Sequence, residues 1–255
     1  MSQSTGIYIF CSIQTNQELH QFGKAVIDGE EKQIFTIHYK DSAMVAAEVP
    51  MKIYHPNKEN LMMHQKVIAS VMAQNDTVIP ISFGNVFHTK EDVKVLLENL
   101  YPQFNKLFPE IKGKIELGLK VIGKKEWLEN EINKSPEVEK MKQTVQGKSD
   151  NAGFYDRIKL GGMANQFFAS LQEDIKTEIF EPLKEVAAAS VANEPIGETM
   201  LLNAAFLIDR SQEELFDQKI NEAFEKWDGK VEFKYSGPWP AYNFINIKLK
   251  VEENK

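Results

Sequence analysis

The sequence is first informative for what it lacks. Its 255 residues hold one cysteine, Cys11, so an internal disulfide and a cysteine-based zinc site are both excluded. Cys11 lies in the run Ile7-Tyr8-Ile9-Phe10-Cys11 and reads there as a small buried hydrophobe. Glycine and proline are sparse, at 14 and 10, too few for a collagen or a low-complexity linker. Positive charge is in deficit, with 30 Lys and Arg against 37 Asp and Glu and a formal net charge of −7. General nucleic-acid binding and anionic membranes both select for basic surface, so neither is an expected partner. No window approaches the roughly 20 apolar residues of a membrane span. The N-terminus lacks the basic region of a signal peptide. The expectation is a cytoplasmic protein.

Reactive motifs are equally scarce. The five histidines, His20, His38, His55, His64 and His88, fall in no metal-ligand spacing, and no metal site is expected. His64 sits on an apolar helical stripe and reads as a core histidine. There is no glycine-rich phosphate loop, and Gly161-Gly162 follows a helical pattern, the wrong context for one. No nucleophile elbow is present. Acidic pairs such as Glu30-Glu31 and Glu252-Glu253 read as solvated surface. The residues thus point to no catalytic set and no cofactor.

What is there is alternation and helical periodicity. Ile7, Ile9 and Cys11 alternate with Tyr8 and Phe10 as in a central strand covered on both faces. Strands are expected over residues 33–39, 43–49 and 77–83, with a turn at Gly84. Asn57 is an expected N-cap for a helix carrying Leu61, His64, Ile68, Val71 and Met72. Thr89 and Asp92 resemble a capping box for a second helix, which Pro102 is expected to kink and Pro109 to end. Residues 112–122 read as a half-buried strand, with Ile115, Leu117, Leu119 and Val121 inward and Glu116, Gly118 and Lys120 outward. Residues 123–150 form a mixed-charge helical excursion. A long amphipathic pattern follows to Leu183, interrupted at Gly161-Gly162, which would permit a bend or a close approach to a sheet.

Residues 186–192 are ambiguous, their alanines favouring helix and their position strand. Residues 200–208 read as a central strand. Ser211 and Glu214 form an expected capping box for a helix through Trp227. Val231, Phe233 and Tyr235 alternate as a last strand. The order over residues 112–236 is β, α, β, β, α, β, that of a ferredoxin-like fold. The expected fold class is therefore α+β in two modules. These are an N-terminal α+β domain at residues 1–110 and a modified ferredoxin-like domain at residues 111–236, with its helical insertion near 123–150.

Residues 237–255 form a separate C-terminal aromatic turn and edge strand. Pro238 and Pro240 stiffen the backbone around Trp239. Tyr242 and Phe244 follow, and Ile245, Ile247, Leu249 and Val251 then alternate as one strand more than a ferredoxin-like sheet needs. Two readings stay open for this tail. Either it packs on its own chain, or Trp239, Tyr242, Phe244, Ile245, Ile247 and Leu249 bind a partner through aromatic anchors and strand addition.

Four blocks carry a resemblance to a known family. They are Thr77-Val78-Ile79-Pro80-Ile81-Ser82-Phe83-Gly84-Asn85-Val86-Phe87, Ile115-Glu116-Leu117-Gly118-Leu119-Lys120-Val121, Asn203-Ala204-Ala205-Phe206-Leu207-Ile208 and Gly237-Pro238-Trp239-Pro240-Ala241-Tyr242-Asn243-Phe244. In this order they resemble the gas vesicle protein F/L family (GvpF/GvpL), nearest the F members of bacillus-type gas vesicle clusters. Ser82 stands where the family commonly has arginine, and Ala241 where a second proline often precedes the tyrosine. The resemblance implies a non-enzymatic, cytoplasmic, vesicle-associated accessory protein. Its implied partners are the hydrophobic gas vesicle shell protein (GvpA/GvpB type) and other gas vesicle accessory proteins, contacted during early assembly. It also implies two α+β modules, the second ferredoxin-like. A small-ligand-binding or enzymatic ferredoxin-like protein is the alternative, because such folds host many functions. A purely structural minor component of the finished vesicle is a third reading.

Overall fold

The computed structural model describes residues 4–17, 22–146 and 154–246. Two sheets organise it. The first has the order β2-β3-β4-β1-β5, with β6 also pairing β1. Its strands are β1 (Thr5–Gln14), β2 (Lys24–Ile27), β3 (Glu30–Tyr39), β4 (Ser42–Pro50), β5 (Val78–Pro80) and β6 (Val86–Phe87). β1 is buried from Gly6 to Ile13, as its two-sided apolar run demands. It pairs antiparallel with β4, and a register shift between Ile9 and Cys11 leaves Phe10 as the extra residue. Cys11 is fully buried, and burial pushes its thiol pKa up.

Helix α1 (Lys58–Met72) starts at Asn57, whose side chain accepts the Asn60 N–H. It buries Met63, His64, Val67, Ile68, Val71 and Met72. Helix α2 (Lys90–Ile111) starts at Thr89 with a complete capping box to Asp92, satisfying two otherwise orphaned N–H groups. It runs unbroken through Pro102 and Pro109 to Ile111, where the sequence reading had a kink and an earlier end. The apolar stripe Val93, Leu97, Leu100, Phe104, Phe108 and Ile111 is buried along its whole length, and that packing holds the helix across both prolines.

The strand expected over residues 77–83 is narrower. Only Val78–Pro80 pairs with β1, and the chain then loops before returning at Val86–Phe87. Gly84 takes a φ of +90° within that loop, a conformation strands do not contain. β2 has no counterpart in the sequence reading. It is joined to β3 through Asp28 and Gly29, with φ of 55° and 77°, the pair of positive values a type I′ hairpin turn requires.

The second sheet has the order β10-β7-β9-β8, from β7 (Lys114–Gly123), β8 (Ala189–Asn193), β9 (Met200–Asp209) and β10 (Val231–Trp239). β8 pairs antiparallel with β9, so the ambiguous segment is strand from Ala189 on, after a turn at 186–188. The helical excursion comprises α3 (Lys125–Asn133) and α4 (Pro136–Val145). It is anchored by buried Leu128 and Val138 and by an edge-to-face contact of Trp127 on Trp227.

Helix α5 (Phe154–Ile175) continues through a π-helical turn at Lys176–Phe180 into α6 (Glu181–Lys184). Glu181 N–H donates to Lys176 O, five residues back. Pro182, next in line, has no N–H to restore the ordinary ladder. Gly161-Gly162 neither breaks α5 nor brings it close to anything, since a Cβ at either position meets nothing within 4 Å. Helix α7 (Glu213–Trp227) follows a short 3₁₀ turn at Arg210–Gln212. Its N-cap is Gln212 with no side-chain cap bond, so the expected Ser211–Glu214 box does not form. The 3₁₀ turn absorbs Ser211 before the helix starts. Phe216, Ile220, Ala223 and Trp227 are buried as the stripe requires.

The chain divides into two compact units, Met1–Glu116 with Pro238–Lys255, and Leu117–Gly237. The divisions fall inside β7 and β10.

Candidate functional site

The C-terminal turn is built on the end of β10, which runs on through Gly237 and Pro238 to Trp239. β10 is a terminal strand of its sheet, the position in which a proline without an N–H is tolerated. Beyond it Pro240 and Ala241 are buried. The turn is closed by Tyr242 N–H to Pro240 O at 2.6 Å and Phe244 N–H to Ala241 O at 3.2 Å.

Trp239, Phe244 and Ile245 are half-buried, while Tyr242 is 40% exposed. These four predicted residues share one turn. Ile245 and Asn246 belong to no strand. Ile247 and Leu249, with the rest of the expected edge strand, lie outside the described residues.

What fixes this turn is Glu116. Strand alternation places it outward, yet it is only 4% exposed. Its carboxylate accepts Asn243 N–H at 2.7 Å and Asn243 Nδ2–H at 2.6 Å. Burial raises its pKa, and the two Asn243 bonds pull it back down. A chelated carboxylate of this kind is a fastening. It joins the second and fourth sequence blocks across 127 positions.

The first block is fastened in the same way. His64 Nε2 lies 3.1 Å from Ile81 O and its Nδ1 3.0 Å from Tyr8 Oη. A carbonyl only accepts, so Nε2 carries the proton and Nδ1 accepts from the Tyr8 hydroxyl. Tyr8 Oη in turn accepts Gly84 N–H at 3.1 Å. Burial pushes the Tyr8 hydroxyl up to about 12, eased by the Gly84 bond. It pushes His64 down to about 4 against the Ile81 bond. The sequence reading identified His64 as a core residue but held no sign of Glu116 or of this relay, since each joins residues distant along the chain.

One open cleft of about 650 Å³ lies in the first unit between β2 and α1. The sequence reading missed it with β2, although Asp28-Gly29 is a hairpin-turn signal. Among the described residues no three His, Cys, Asp or Glu side chains converge on a common point as metal ligands would. No helix among them is long and apolar enough to cross a membrane.

Fold and site together define an α+β protein of two sheet-and-helix units, with three of its four sequence blocks held by buried polar contacts in the first unit. The family model described as gas vesicle synthesis protein GvpL/GvpF matches residues 6–246, and the chain belongs to that family. Its role accordingly lies in gas vesicle formation. Among curated relatives, gas vesicle protein F of Nostoc sp. is 27% identical over 204 residues, 79% of this chain and 83% of that protein. Gas vesicle protein F1 of Halobacterium salinarum is 21% identical over 226 residues, covering 88% and 86%. The crystal structure of GvpF from Anabaena sp. superposes with a TM-score of 0.81 at 23% identity, over 98% of this chain and 100% of that one. That of GvpF from Microcystis aeruginosa gives 0.73 at 19% identity, over 94% and 98%. These two likenesses establish the fold.

Proposed function

We propose that this chain is a non-catalytic accessory protein that binds the hydrophobic gas vesicle shell protein, of GvpA/GvpB type, and other accessory proteins during early assembly in the cytoplasm. The observation that carries the reading is the family match along residues 6–246. An unassembled shell subunit presents apolar surface and open strand edges, which a folded protein can cover until the subunit is incorporated. The C-terminal turn offers an aromatic face for this, with Tyr242 40% exposed although burial of its hydroxyl pushes its pKa up to about 12, and with the neighbouring Asn243 backbone held by Glu116. The strand order β10-β7-β9-β8 supports a ferredoxin-like reading of the second unit. A non-catalytic role is supported by the use made of the perturbed groups, since Tyr8, His64 and Glu116 are each spent on joining segments.

The test is co-purification of the shell protein with the full chain, compared with Tyr242→Ala and Phe244→Ala. Retention by the parent chain and a loss of about tenfold in the variants, as for an aromatic anchor, is the expected result. Retention unchanged in both variants moves the binding surface away from the turn. No retention by the parent chain overturns the reading.

A further inference from the structure

The β2–α1 cleft has the construction of a peptide groove, with a strand edge on one side and a helix on the other. β2 is the terminal strand of the first sheet. In a two-residue hairpin the pair flanking the turn, here Ile27 and Glu30, is the closely bonded one. The backbone N–H and C=O of Val26 and Lys24 therefore point away from β3, toward the open edge. Ile34 N–H donating to Gly23 O at 2.9 Å fits the same alternation.

β2 is short and carries Lys24, two of the usual protections of an edge strand, but it has neither a proline nor an inward charge. Val26 is instead 62% exposed. The hairpin is held in place, because Asp28 in its turn accepts from Tyr54 Oη at 2.9 Å and pairs with Lys52 at 2.8 Å.

The floor of the cleft is apolar and adaptable. Phe22, Ile34 and Val67 line it together with Met62 and Met63, and methionine reshapes readily around different side chains. Met62 is 44% exposed although it lies on the helix flank facing the cleft. Among the described residues the charged side chains of the lining are Lys24, Lys58, Lys66 and Glu59, so three cations face one anion there in a chain whose net charge is −7. Lys24 also pairs with Glu31 at 3.0 Å on the exposed surface. The charge of the lining runs against that of the molecule and selects for an acidic occupant.

We propose that this cleft binds an extended acidic segment of a partner protein, which adds as a strand beside β2, seats alternate apolar side chains on Met62, Met63 and Val67, and sets its carboxylates against Lys58 and Lys66. The main-chain bonds to the β2 edge supply affinity, and the floor and the lysines supply selection. The residues involved are different from those of the C-terminal turn, so failure here leaves the shell-binding reading untouched.

The test is calorimetric titration of the full chain with a peptide of about nine residues alternating leucine and glutamate, a strand-length probe. Its lysine counterpart and a copy N-methylated at alternate backbone positions serve as comparisons. The acidic peptide is expected to bind and the basic one not. N-methylation, the Lys58→Glu/Lys66→Glu double variant and Val26→Pro are each expected to weaken binding about tenfold or more. Val26→Pro removes an outward N–H that β3 does not use. Absence of binding by the acidic peptide at millimolar concentration overturns the proposal, as does equal binding of the basic peptide. Undiminished binding of the N-methylated peptide also overturns it, because the occupant is then not an added strand.

Discussion

His64 shows how much one buried side chain can hold. It links α1 to the loop after β5 through Ile81 O, and to β1 through Tyr8. Its pKa lies at about 4 in the folded chain against 6.5 when free. The unfolded chain therefore binds the extra proton first as pH falls, and stability is lost from about pH 6.5 down through about pH 4. The gap between these values corresponds to about 3 kcal/mol. Denaturant titrations across that range should show the parent chain losing about that much more than His64→Gln, and parallel curves would refute the assignment. Protonation also turns Nδ1 into a donor, so the Tyr8 hydroxyl must accept from it and loses the acceptor for its own proton.

Glu116 works with the opposite sign. Its pKa is raised by burial, so its ionised form costs stability as pH rises above the ordinary carboxylate range, and Asn243 offsets that cost. Asn243→Ala should destabilise by about 1–3 kcal/mol, with a larger loss at pH 7 than at pH 5. An equal loss at both would mean that Asn243 acts through packing alone. Cys11 and His64 were legible as core residues because burial follows from their own apolar neighbourhoods. Glu116 was not, because alternation within β7 predicts an outward side chain and the turn that covers it lies far along the sequence.

Elements were legible where they carried their own punctuation. Asn57 and Thr89 cap α1 and α2 as their sequences indicate. Ser211 looks as good a cap as Thr89 and caps nothing, because the 3₁₀ turn at Arg210–Gln212 moves the helix start past it. The two positions make a matched pair for thermal unfolding. Thr89→Ala should cost about 1 kcal/mol, and Ser211→Ala a few tenths at most. Comparable losses at both would place a cap at Ser211 after all. Pro102 and Pro109 misled in the other direction, since local propensity predicts a broken helix and the buried stripe of α2 overrides it. β2 escaped because four residues give periodicity too little length, although the turn that makes it was readable at Asp28-Gly29.

At the scale of the whole molecule, the α+β composition and two sheets were legible from the succession of alternating and helical segments. The pairings were less so. β6 beside β1 and the reach of β10 to Trp239 depend on contacts between distant residues, and a chain read in order does not display them. Three of the four sequence blocks have a common physical explanation in the first unit. One of them is fastened by Tyr8 and His64, and two others meet at Glu116 and Asn243.

As proposed above, gas vesicle formation needs this chain as a folded binding partner and not as a catalyst. The most direct measurement is electron microscopy of cells carrying a complete gas vesicle gene cluster from which only this gene has been deleted, with and without the chain resupplied. The account predicts no mature vesicles in the deletion, shell protein accumulating in the insoluble fraction, and recovery on resupply. Vesicles of normal number and shape in the deletion would contradict it.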